Sequence, residues 1–450
     1  MNIQEITNAP LGRNFIPEIE KQPPDVVEQY QVERLVNLLH YLSRNSAFYS
    51  KLFKECGLDI GAIRTLKDLS HIPPTTKHDL QLHNLDFICV GKEKIIDYIT
   101  TSGTLGDPVT LAMTEHDLDR LAYNEAISFA CADGSSDDIF QLALTIDKRF
   151  MAGLAYWMGA RKLGAGVVRV GGGIPELQWD TVQRISPTTI VCVPSFILKL
   201  IEYAEQQKID YRNASLKKAV CIGEPIRNPD FTLGPIGARI KEKWDLTLYS
   251  TYASTEMSTA FTECGQGKGG HHHPELIIVE FLDDQDKPVP EEEAGEVTIT
   301  TLGVEGMPLL RYKTGDICFH YTDPCPCGRH SMRLGPVIGR KNQMIKFKGT
   351  TLYPYALYDI LDNLKEVVNY VVEVYTDEIG TDQILIRIGS EQIPQGFEKE
   401  IKDHFRARLR VAPAIRFESI DYINKIQNPG SGRKAVKFID HRNNKSRQKN

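Results

Sequence analysis

A loop rich in hydroxyl side chains and glycine carries the clearest chemical signal in this sequence. It reads Thr101-Ser102-Gly103-Thr104-Leu105-Gly106-Asp107-Pro108 and follows an apolar run, residues 95–100, that predicts a short strand. Such a loop can direct backbone N–H and side-chain O–H groups at one anion, because glycine lets the backbone come close to a ligand. The pattern indicates a polyphosphate site, and a surface turn fits it equally well. No Gly-Lys-Ser/Thr follows, which excludes the phosphate loop of kinases and GTPases.

Two later segments place polar side chains beside predicted strands. Tyr252-Ala253-Ser254-Thr255-Glu256 follows the strand-like residues 246–251, and its aromatic, hydroxyl and carboxylate groups can serve a base, a phosphate and Mg²⁺. Tyr312-Lys313-Thr314-Gly315-Asp316 is predicted between two short strands, where Asp316 can accept hydrogen bonds from both hydroxyls of a ribose. An ordinary turn explains the first segment and a plain hairpin turn the second, so each is weak alone.

Two polar segments near the C-terminus have the composition of a hinge and of a flexible loop. Residues 339–349 form a short charged stretch at a predicted domain boundary, where a hinge can absorb backbone rotation. Residues 428–435 are rich in glycine and present Lys434, a cation suited to a phosphate. A static linker and a solvated lysine are the alternatives.

Composition is that of an ordinary globular protein. The chain has 450 residues, 41% hydrophobic and 25% charged, and a formal net charge of −6. The acidic balance argues against nucleic-acid or membrane-surface partners. Residues 1–21 lack a signal-like apolar region, no stretch approaches the roughly 20 residues of a membrane span, and the nine cysteines are mostly isolated among apolar residues. We expect a cytoplasmic protein with reduced thiols.

The order of predicted elements indicates an α/β fold in two domains. Residues 85–260 alternate strands and helices, among them a strand at residues 189–193 and a helix at residues 195–207, which predicts βαβ units and a mainly parallel sheet. After residue 256 the pattern becomes β-rich, and the last hundred residues predict a small α+β unit. We place the boundary between a domain of residues 1–338 and one of residues 339–450.

The motifs in this order resemble the acyl-adenylate-forming superfamily, and most of all its phenylacetate–CoA ligase branch. The resemblance rests on the five segments above, on residues 150–154 with 159–165, and on Ile222-Gly223-Glu224-Pro225. It extends from about residue 34 to 440. It implies a large AMP-binding domain and a small mobile C-terminal lid. In this family a carboxylate attacks the α-phosphate of ATP, pyrophosphate leaves, and the thiol of CoA then displaces AMP from the acyl-adenylate.

The resemblance also implies roles for individual residues. It assigns the β- and γ-phosphates to Thr101, Ser102, Gly103, Thr104 and Gly106. It places Gly223, Glu224, Pro225 and Tyr252 around the adenine, Thr255 at the α-phosphate, Glu256 on Mg²⁺, and Asp316, with Arg340 nearby, at the ribose. Lys434 would bridge the carboxylate and the α-phosphate in the adenylation step only. Asn342 would be the hinge. Our candidates for the acyl pocket are Phe150, Met151, Gly153 and Tyr156.

Cysteines and histidines suggest a separate metal site. Cys325-Pro326-Cys327-Gly328 can form a tight knuckle, and Cys264 with one residue of His271-His272-His273 would complete a Cys₃His set for structural Zn²⁺. His271 best fits the similar pattern of the resembled branch, with His273 as the alternate. Unrelated thiols beside a solvated histidine cluster are the other interpretation.

The loop departs from the family at three positions. Leu105 replaces a usual Thr, Asp107 adds an anion beside an anion site, and Val109 stands where many members carry Lys. We expect an ATP-dependent ligase that joins an aryl acid to CoA, as in aromatic acid catabolism. An adenylating enzyme with another acceptor, such as a carrier protein, and a weakly active nucleotide-binding scaffold are the alternatives. A homodimer is expected from the resemblance only.

Overall fold

A computed structural model describes residues 11, 15–101, 108–291, 293–347, 350–377, 381–391, 393–428 and 436–442. The chain divides into two compact units after Pro336. Within the described residues, no helix combines the length and the apolar character needed to cross a membrane.

The helices of the first unit bury side chains in its core. Their bounds are α1 Pro24–Asn45, α2 Ala47–Glu55, α3 Lys77–Leu82, α4 Glu115–Cys131, α5 Met151–Leu163, α6 Pro175–Ile185, α7 Pro194–Gln207 and α8 Pro235–Lys243. Proline opens several of them, where its missing N–H costs nothing. Helix α4 begins with a capping box in which Thr114 and Asp117 satisfy each other's backbone N–H groups.

Most strands of the first unit belong to one mixed sheet. The strands are β1 Ile95–Thr100, β2 Thr110–Thr114, β3 Ile139–Leu142, β4 Gly166–Arg169, β5 Thr189–Cys192, β6 Lys218–Ile222, β7 Thr247–Ser254, β8 Thr259–Glu263, β9 Gly270–His271, β10 Ile277–Leu282, β11 Gly295–Thr301, β12 Tyr312–Cys318, β13 His320–Tyr321 and β14 Arg333–Leu334. The main sheet has the order β13-β14-β9-β8-β7-β6-β5-β3-β4. Pairing is parallel from β4 to β7 and antiparallel beyond β7. The predicted α/β class is confirmed, with its parallel part built from βαβ units.

Apolar side chains of the crossover helices form the core of the first unit. One cluster includes Trp179, Ile197 and Leu200 of α6 and α7, which pack with buried residues of β5 and β6. Another joins Phe129 of α4 and Tyr156 of α5, whose rings lie 5.8 Å apart. Each such side chain stabilises the fold by about 1.5–3 kcal/mol on burial.

A smaller sheet carries β10, β11 and β12, which pair antiparallel in that order. The register shifts between Glu296 and Thr298 of β11, so residues 314–316 bulge out of the ladder. The segment 312–316 therefore does not form the predicted turn between two strands, because β12 continues through it. Gly315 at φ +79° permits the bulge.

The second unit is a small α+β body. It contains β15 Gly339–Arg340, β16 Ile345–Phe347, β17 Thr350–Leu352, α9 Pro354–Asp362, β18 Asn369–Thr376, β19 Asp382–Gly389, α10 Phe397–Leu409, β20 Ala414–Glu418, α11 Ile420–Gln427 and β21 Phe438–Asp440. Its main sheet has the order β20-β19-β18-β21, with an antiparallel centre and parallel edges. Strands β20 and β21 and helix α11 were not predicted, since each is short.

Candidate functional site

The predicted phosphate loop is closed at its base by two reciprocal hydrogen bonds. The Thr101 N–H donates to the Val109 carbonyl at 3.0 Å, and the Val109 N–H donates to the Thr101 hydroxyl at 3.1 Å. Both residues are buried. The described residues do not include the rest of the loop, which is Ser102, Gly103, Thr104, Leu105, Gly106 and Asp107. The loop connects two antiparallel strands, β1 and β2, whereas the phosphate loop of kinases and GTPases connects a strand to a helix.

Two hydrogen bonds join the segment 252–256 to strand β12. The Tyr252 hydroxyl donates to an Asp316 carboxylate oxygen at 2.8 Å, and the Tyr312 hydroxyl lies 3.5 Å from a Glu256 carboxylate oxygen. Burial, reinforced by the neighbouring carboxylate, raises the pKa of both tyrosines well above the usual range. Each tyrosine therefore stays protonated and donates. The structure thus brings together residues of two candidate segments, 252–256 and 312–316, that are up to 64 positions apart along the chain.

Tyr312 is a site residue that sequence reasoning missed, since its motif drew attention to Asp316 alone. Tyr312 and Asp316, both on β12, contact the segment 252–256, and the Tyr312 side chain is buried, with 2% of the residue exposed. Thr255 and Glu256 lie half-buried in the turn after β7. A half-exposed carboxylate oriented by a buried hydroxyl is suited to hold a cation such as Mg²⁺.

The segment 223–225 is anchored by its own Glu224 and by Arg227, which lies two residues beyond it. Glu224 accepts hydrogen bonds from the backbone N–H and the hydroxyl of Ser195, each at 2.9 Å. Ser195 lies in the first turn of α7, where the helix dipole favours a carboxylate. Arg227 makes a bidentate pair with Glu263 at 2.7 and 2.9 Å, and Glu263 also accepts from the Ser250 N–H. Gly223 and Pro225, on either side of Glu224, are exposed.

We expect Arg227→Leu to lower the free energy of unfolding by about 3 kcal/mol, because the Glu263 side chain, 1% exposed, would lose its charged partner. Chemical denaturation of the full chain measures this. Arg184→Leu is the matched control, since its partner Asp180 and Arg184 itself are largely exposed, and it should cost less than about 1 kcal/mol. Equal effects of the two substitutions would contradict the anchoring argument.

The four acyl-pocket candidates lie at the start of α5. Phe150 is the residue before the helix and is half-buried, whereas Met151 is buried. A Cβ on Gly153 would lie 2.3 Å from the Thr145 carbonyl oxygen, so only glycine allows the helix this close to the chain after β3. Tyr156 packs in the core against Phe129. Of the four, Phe150 alone is not fully buried.

Three of the predicted residues, Arg340, Asn342 and Lys434, belong to the second unit. Arg340 is an exposed residue of β15, and Lys434 lies outside the described residues. Asn342, the predicted hinge, lies in a short 3₁₀ turn at residues 341–343. Arg442 donates to the Met344 carbonyl at 2.7 Å and to Asp382 at 2.9 Å, which holds the chain just after this turn within the unit.

The predicted zinc ligands come together. The ligand atoms of Cys264, His271, Cys325 and Cys327 all lie within 4.8 Å of one another. The Cys264 and Cys325 sulfurs are 3.7 Å apart, and His271 Nε2 lies 3.4 and 3.5 Å from the sulfurs of Cys264 and Cys327. A tetrahedral zinc with standard bond lengths requires about 3.7 Å between sulfurs and about 3.5 Å between sulfur and nitrogen. The donor set fits Zn²⁺.

The other two histidines of the run are directed elsewhere. His272 Nε2 lies 2.6 Å from the Ile277 carbonyl oxygen, and His273 Nδ1 lies 2.5 Å from Glu20. The fully buried Glu20 also pairs with Arg329 at 2.7 Å, and Arg329 contacts the Cys327 sulfur at 3.6 Å. Glu20 is far away in sequence and gave no motif. It belongs to an outer shell that orients the ligands.

Comparison with known proteins identifies the family. The family described as AMP-binding enzyme matches residues 62–306. The chain is 32% identical to a phenylacetate-coenzyme A ligase of Thermus thermophilus, over 86% of each chain. It is 26% identical to a phenylacetate-coenzyme A ligase of Escherichia coli, over 97% of this chain and 99% of the relative.

A solved structure of 2-hydroxyisobutyryl-CoA ligase in complex with 2-HIB-AMP has the same fold, with a TM-score of 0.81 and 22% identity over 95% of this chain and 94% of that one. The fold and the family match thus define an enzyme of the adenylate-forming class. The chain belongs to the AMP-binding enzyme family, and the resemblance to its phenylacetate–CoA ligase branch is confirmed.

Proposed function

We propose that this enzyme activates a carboxylic acid with ATP as an acyl-adenylate and transfers the acyl group to CoA, releasing AMP and pyrophosphate. The observation that carries the proposal is the pair of contacts that bring Tyr252 and Glu256 against Asp316 and Tyr312. The curated relatives at 26–32% identity support it, because they are named as CoA ligases and are matched over most of their length.

Each half of the reaction develops charge that the chain can stabilise. Asp316, fixed by Tyr252, would bind the ribose, and Gly223, Glu224 and Pro225 would line the adenine. Thr101 and its loop would hold the β- and γ-phosphates. Thr255 would contact the α-phosphate, and Lys434 would join it to the attacking carboxylate, with Arg340 near the nucleotide. Mg²⁺ held by Glu256 would supply positive charge at the phosphates.

The acid in this proposal is aryl and resembles phenylacetate, with Phe150, Met151, Gly153 and Tyr156 as the pocket. The zinc set Cys264, His271, Cys325 and Cys327 would have no part in the chemistry. It would fasten β9 and the knuckle at residues 325–328 to the end of β8. The homodimer and the cytoplasmic location stay predictions.

A panel of aryl and aliphatic acids, incubated with ATP, Mg²⁺ and CoA, tests the proposal. We expect an aryl acid to give acyl-CoA, AMP and pyrophosphate in equal amounts, with no product when the acid is omitted. An enzyme that releases pyrophosphate but leaves CoA unconsumed uses another acceptor. An enzyme that releases none with any acid is not a ligase of this class.

A further inference from the structure

Arg120 of α4 is a fully buried guanidinium that binds main-chain carbonyl groups. Its Nε donates to the Leu302 carbonyl at 2.7 Å, its Nη1 to the Ser258 carbonyl at 2.6 Å, and its Nη2 to the Leu276 carbonyl at 2.6 Å and the Thr259 hydroxyl at 3.1 Å. Within the described residues, no carboxylate is among its hydrogen-bond partners. Burial lowers the pKa of Arg120 to about 10, so the group is still charged at neutral pH. A buried charge without a counter-ion is costly, and the four hydrogen bonds offset that cost.

The three carbonyls belong to two different sheets. Ser258 directly precedes β8 of the main sheet, whereas Leu276 precedes β10 and Leu302 follows β11 of the smaller sheet. The Leu302 N–H also donates to the Leu276 carbonyl at 2.8 Å, which joins these two strand ends of the smaller sheet to each other. Arg120 connects this pair to the main sheet. One side chain thus fastens the two sheets to each other at a single point.

Each of these sheets carries one half of the candidate nucleotide site. The turn after β7 of the main sheet holds Thr255 and Glu256, and β12 of the smaller sheet holds Tyr312 and Asp316. The contacts from Tyr252 to Asp316 and from Tyr312 to Glu256 cross from one sheet to the other. The geometry of the site therefore depends on how the two sheets are placed relative to each other.

The backbone conformation of Ser258 makes the turn sensitive to the contact with Arg120. Residues 255–258 connect β7 to β8, and Ser258 has φ +49°, in the left-handed region. A residue with a side chain adopts that region only at a cost, and the surrounding structure must hold it there. The Arg120 hydrogen bond to the Ser258 carbonyl supplies such a hold, two residues from Glu256.

A second side chain of α4 binds the same hairpin. Asn124 is fully buried and lies four residues after Arg120, hence on the same face of the helix. Its Oδ1 accepts from the Ala260 N–H at 3.0 Å. Helix α4 therefore holds the beginning of β8 at two points. The turn that carries Glu256 is anchored from the core as well as by Tyr312.

We propose that Arg120 is a positioning residue that holds Thr255 and Glu256 in place for the nucleotide by fastening the turn at residues 255–258 to the smaller sheet. The inference rests on the proposed function, which assigns these two residues to the α-phosphate and Mg²⁺. Arg120 itself lies in the core and is assigned to no substrate. A turn that is already fixed need not be ordered when the nucleotide binds, and this strengthens binding.

Nucleotide affinity distinguishes this role from a contribution to stability alone. Titration calorimetry with ATP and Mg²⁺, in the absence of acid and CoA, gives both a dissociation constant and a binding stoichiometry. Loss of a residue needed merely for folding would lower the melting temperature and the fraction of molecules that bind. The molecules that remain folded would still bind ATP with wild-type affinity. Loss of a positioning residue changes the dissociation constant itself.

Arg120→Lys is the main test, since lysine keeps the charge but cannot reach four acceptors in the geometry of a guanidinium. We expect the dissociation constant for ATP with Mg²⁺ to rise about tenfold, the effect of weakening one hydrogen bond to a charged group. Arg333→Lys is the matched control, because Arg333 is also a buried arginine but donates to the Lys268 carbonyl rather than to the turn. It should lower the melting temperature and leave the dissociation constant at the wild-type value.

Two substitutions of Ser258 give an independent reading if Arg120→Lys folds poorly, because they act on the turn with the arginine still in place. Valine is β-branched and disfavours φ +49°, so Ser258→Val should raise the dissociation constant for ATP with Mg²⁺. Glycine adopts that φ without strain, so Ser258→Gly should bind ATP as the wild type does.

Wild-type affinity in Arg120→Lys would overturn the proposal, and so would an equal loss of affinity in Arg333→Lys. If Arg120→Lys does not fold, wild-type affinity in Ser258→Val would overturn it. Failure of the proposed function is a different result. A wild-type enzyme that binds ATP but releases no pyrophosphate with any acid would contradict the ligase assignment and leave the comparison of affinities standing. A wild-type enzyme that binds no ATP would overturn both.

Discussion

Replacing Lys434 with alanine is expected to reduce acid-dependent pyrophosphate release by about a hundred- to a thousandfold, the effect of removing one preorganised charge or donor from a developing transition state. The physical reason is that two anions, the carboxylate and the α-phosphate, must approach each other, and an ammonium group between them offsets their repulsion. Transfer of the acyl group from supplied acyl-adenylate to CoA should stay within about twofold of wild type. The two half-reactions are assayed separately.

Lys425→Ala is the control for this substitution, because Lys425 is an exposed lysine on the helix that precedes the segment. It should leave both half-reactions unchanged. If Lys434→Ala left pyrophosphate release at the wild-type rate, the assignment of Lys434 would fail. If it slowed both half-reactions equally, the proposed restriction to adenylation would fail.

Replacing Cys327 with serine is expected to have the largest effect on stability. It removes one of the four ligand atoms clustered at the metal centre, and structural zinc contributes on the order of 10 kcal/mol to the folding of small zinc domains. We expect a loss of several kcal/mol in the free energy of unfolding, together with a fall in bound zinc from about one equivalent to less than half. Thermal unfolding and elemental analysis of undenatured protein measure the two quantities.

Cys56→Ser is the matched control, since Cys56 is a free, half-buried thiol outside the metal cluster. It should leave zinc content unchanged and alter stability by less than about 1 kcal/mol. Wild-type protein with less than about half an equivalent of zinc would contradict the site. So would a Cys327→Ser variant that retains a full equivalent.

Sequence patterns predicted the fold wherever local periodicity reflects burial. The helix predicted at residues 195–207 and the strand predicted at residues 189–193 agree with α7 and β5 to within one residue, because their apolar spacing matches the face they bury. Helix α11 was missed. It has only eight residues, and its aliphatic residues are three isoleucines at intervals of three. Strand β20 owes its pairing to β19 rather than to its own residues.

The candidate site shows the same division between local and long-range information. Motifs located Tyr252, Glu256 and Asp316, since each follows from residue types within a few positions. The partners that fix these residues were not predictable. Tyr312 reaches Glu256 across 56 positions, and the bulge that redirects Asp316 arises from the register with β11. At the metal centre, Glu20 lies 253 positions from His273 and became visible only in the folded chain.

The most direct test of the account follows one oxygen atom from the acid. If the carboxylate attacks the α-phosphate, an acid with heavy oxygen at both carboxylate positions must leave one labelled oxygen in AMP when CoA takes the acyl group. Mass spectrometry of the AMP formed by the wild-type enzyme with ATP, Mg²⁺ and CoA measures this. We predict one labelled oxygen for each molecule of acyl-CoA formed. Unlabelled AMP, or label in orthophosphate, would contradict the acyl-adenylate and with it the proposed function.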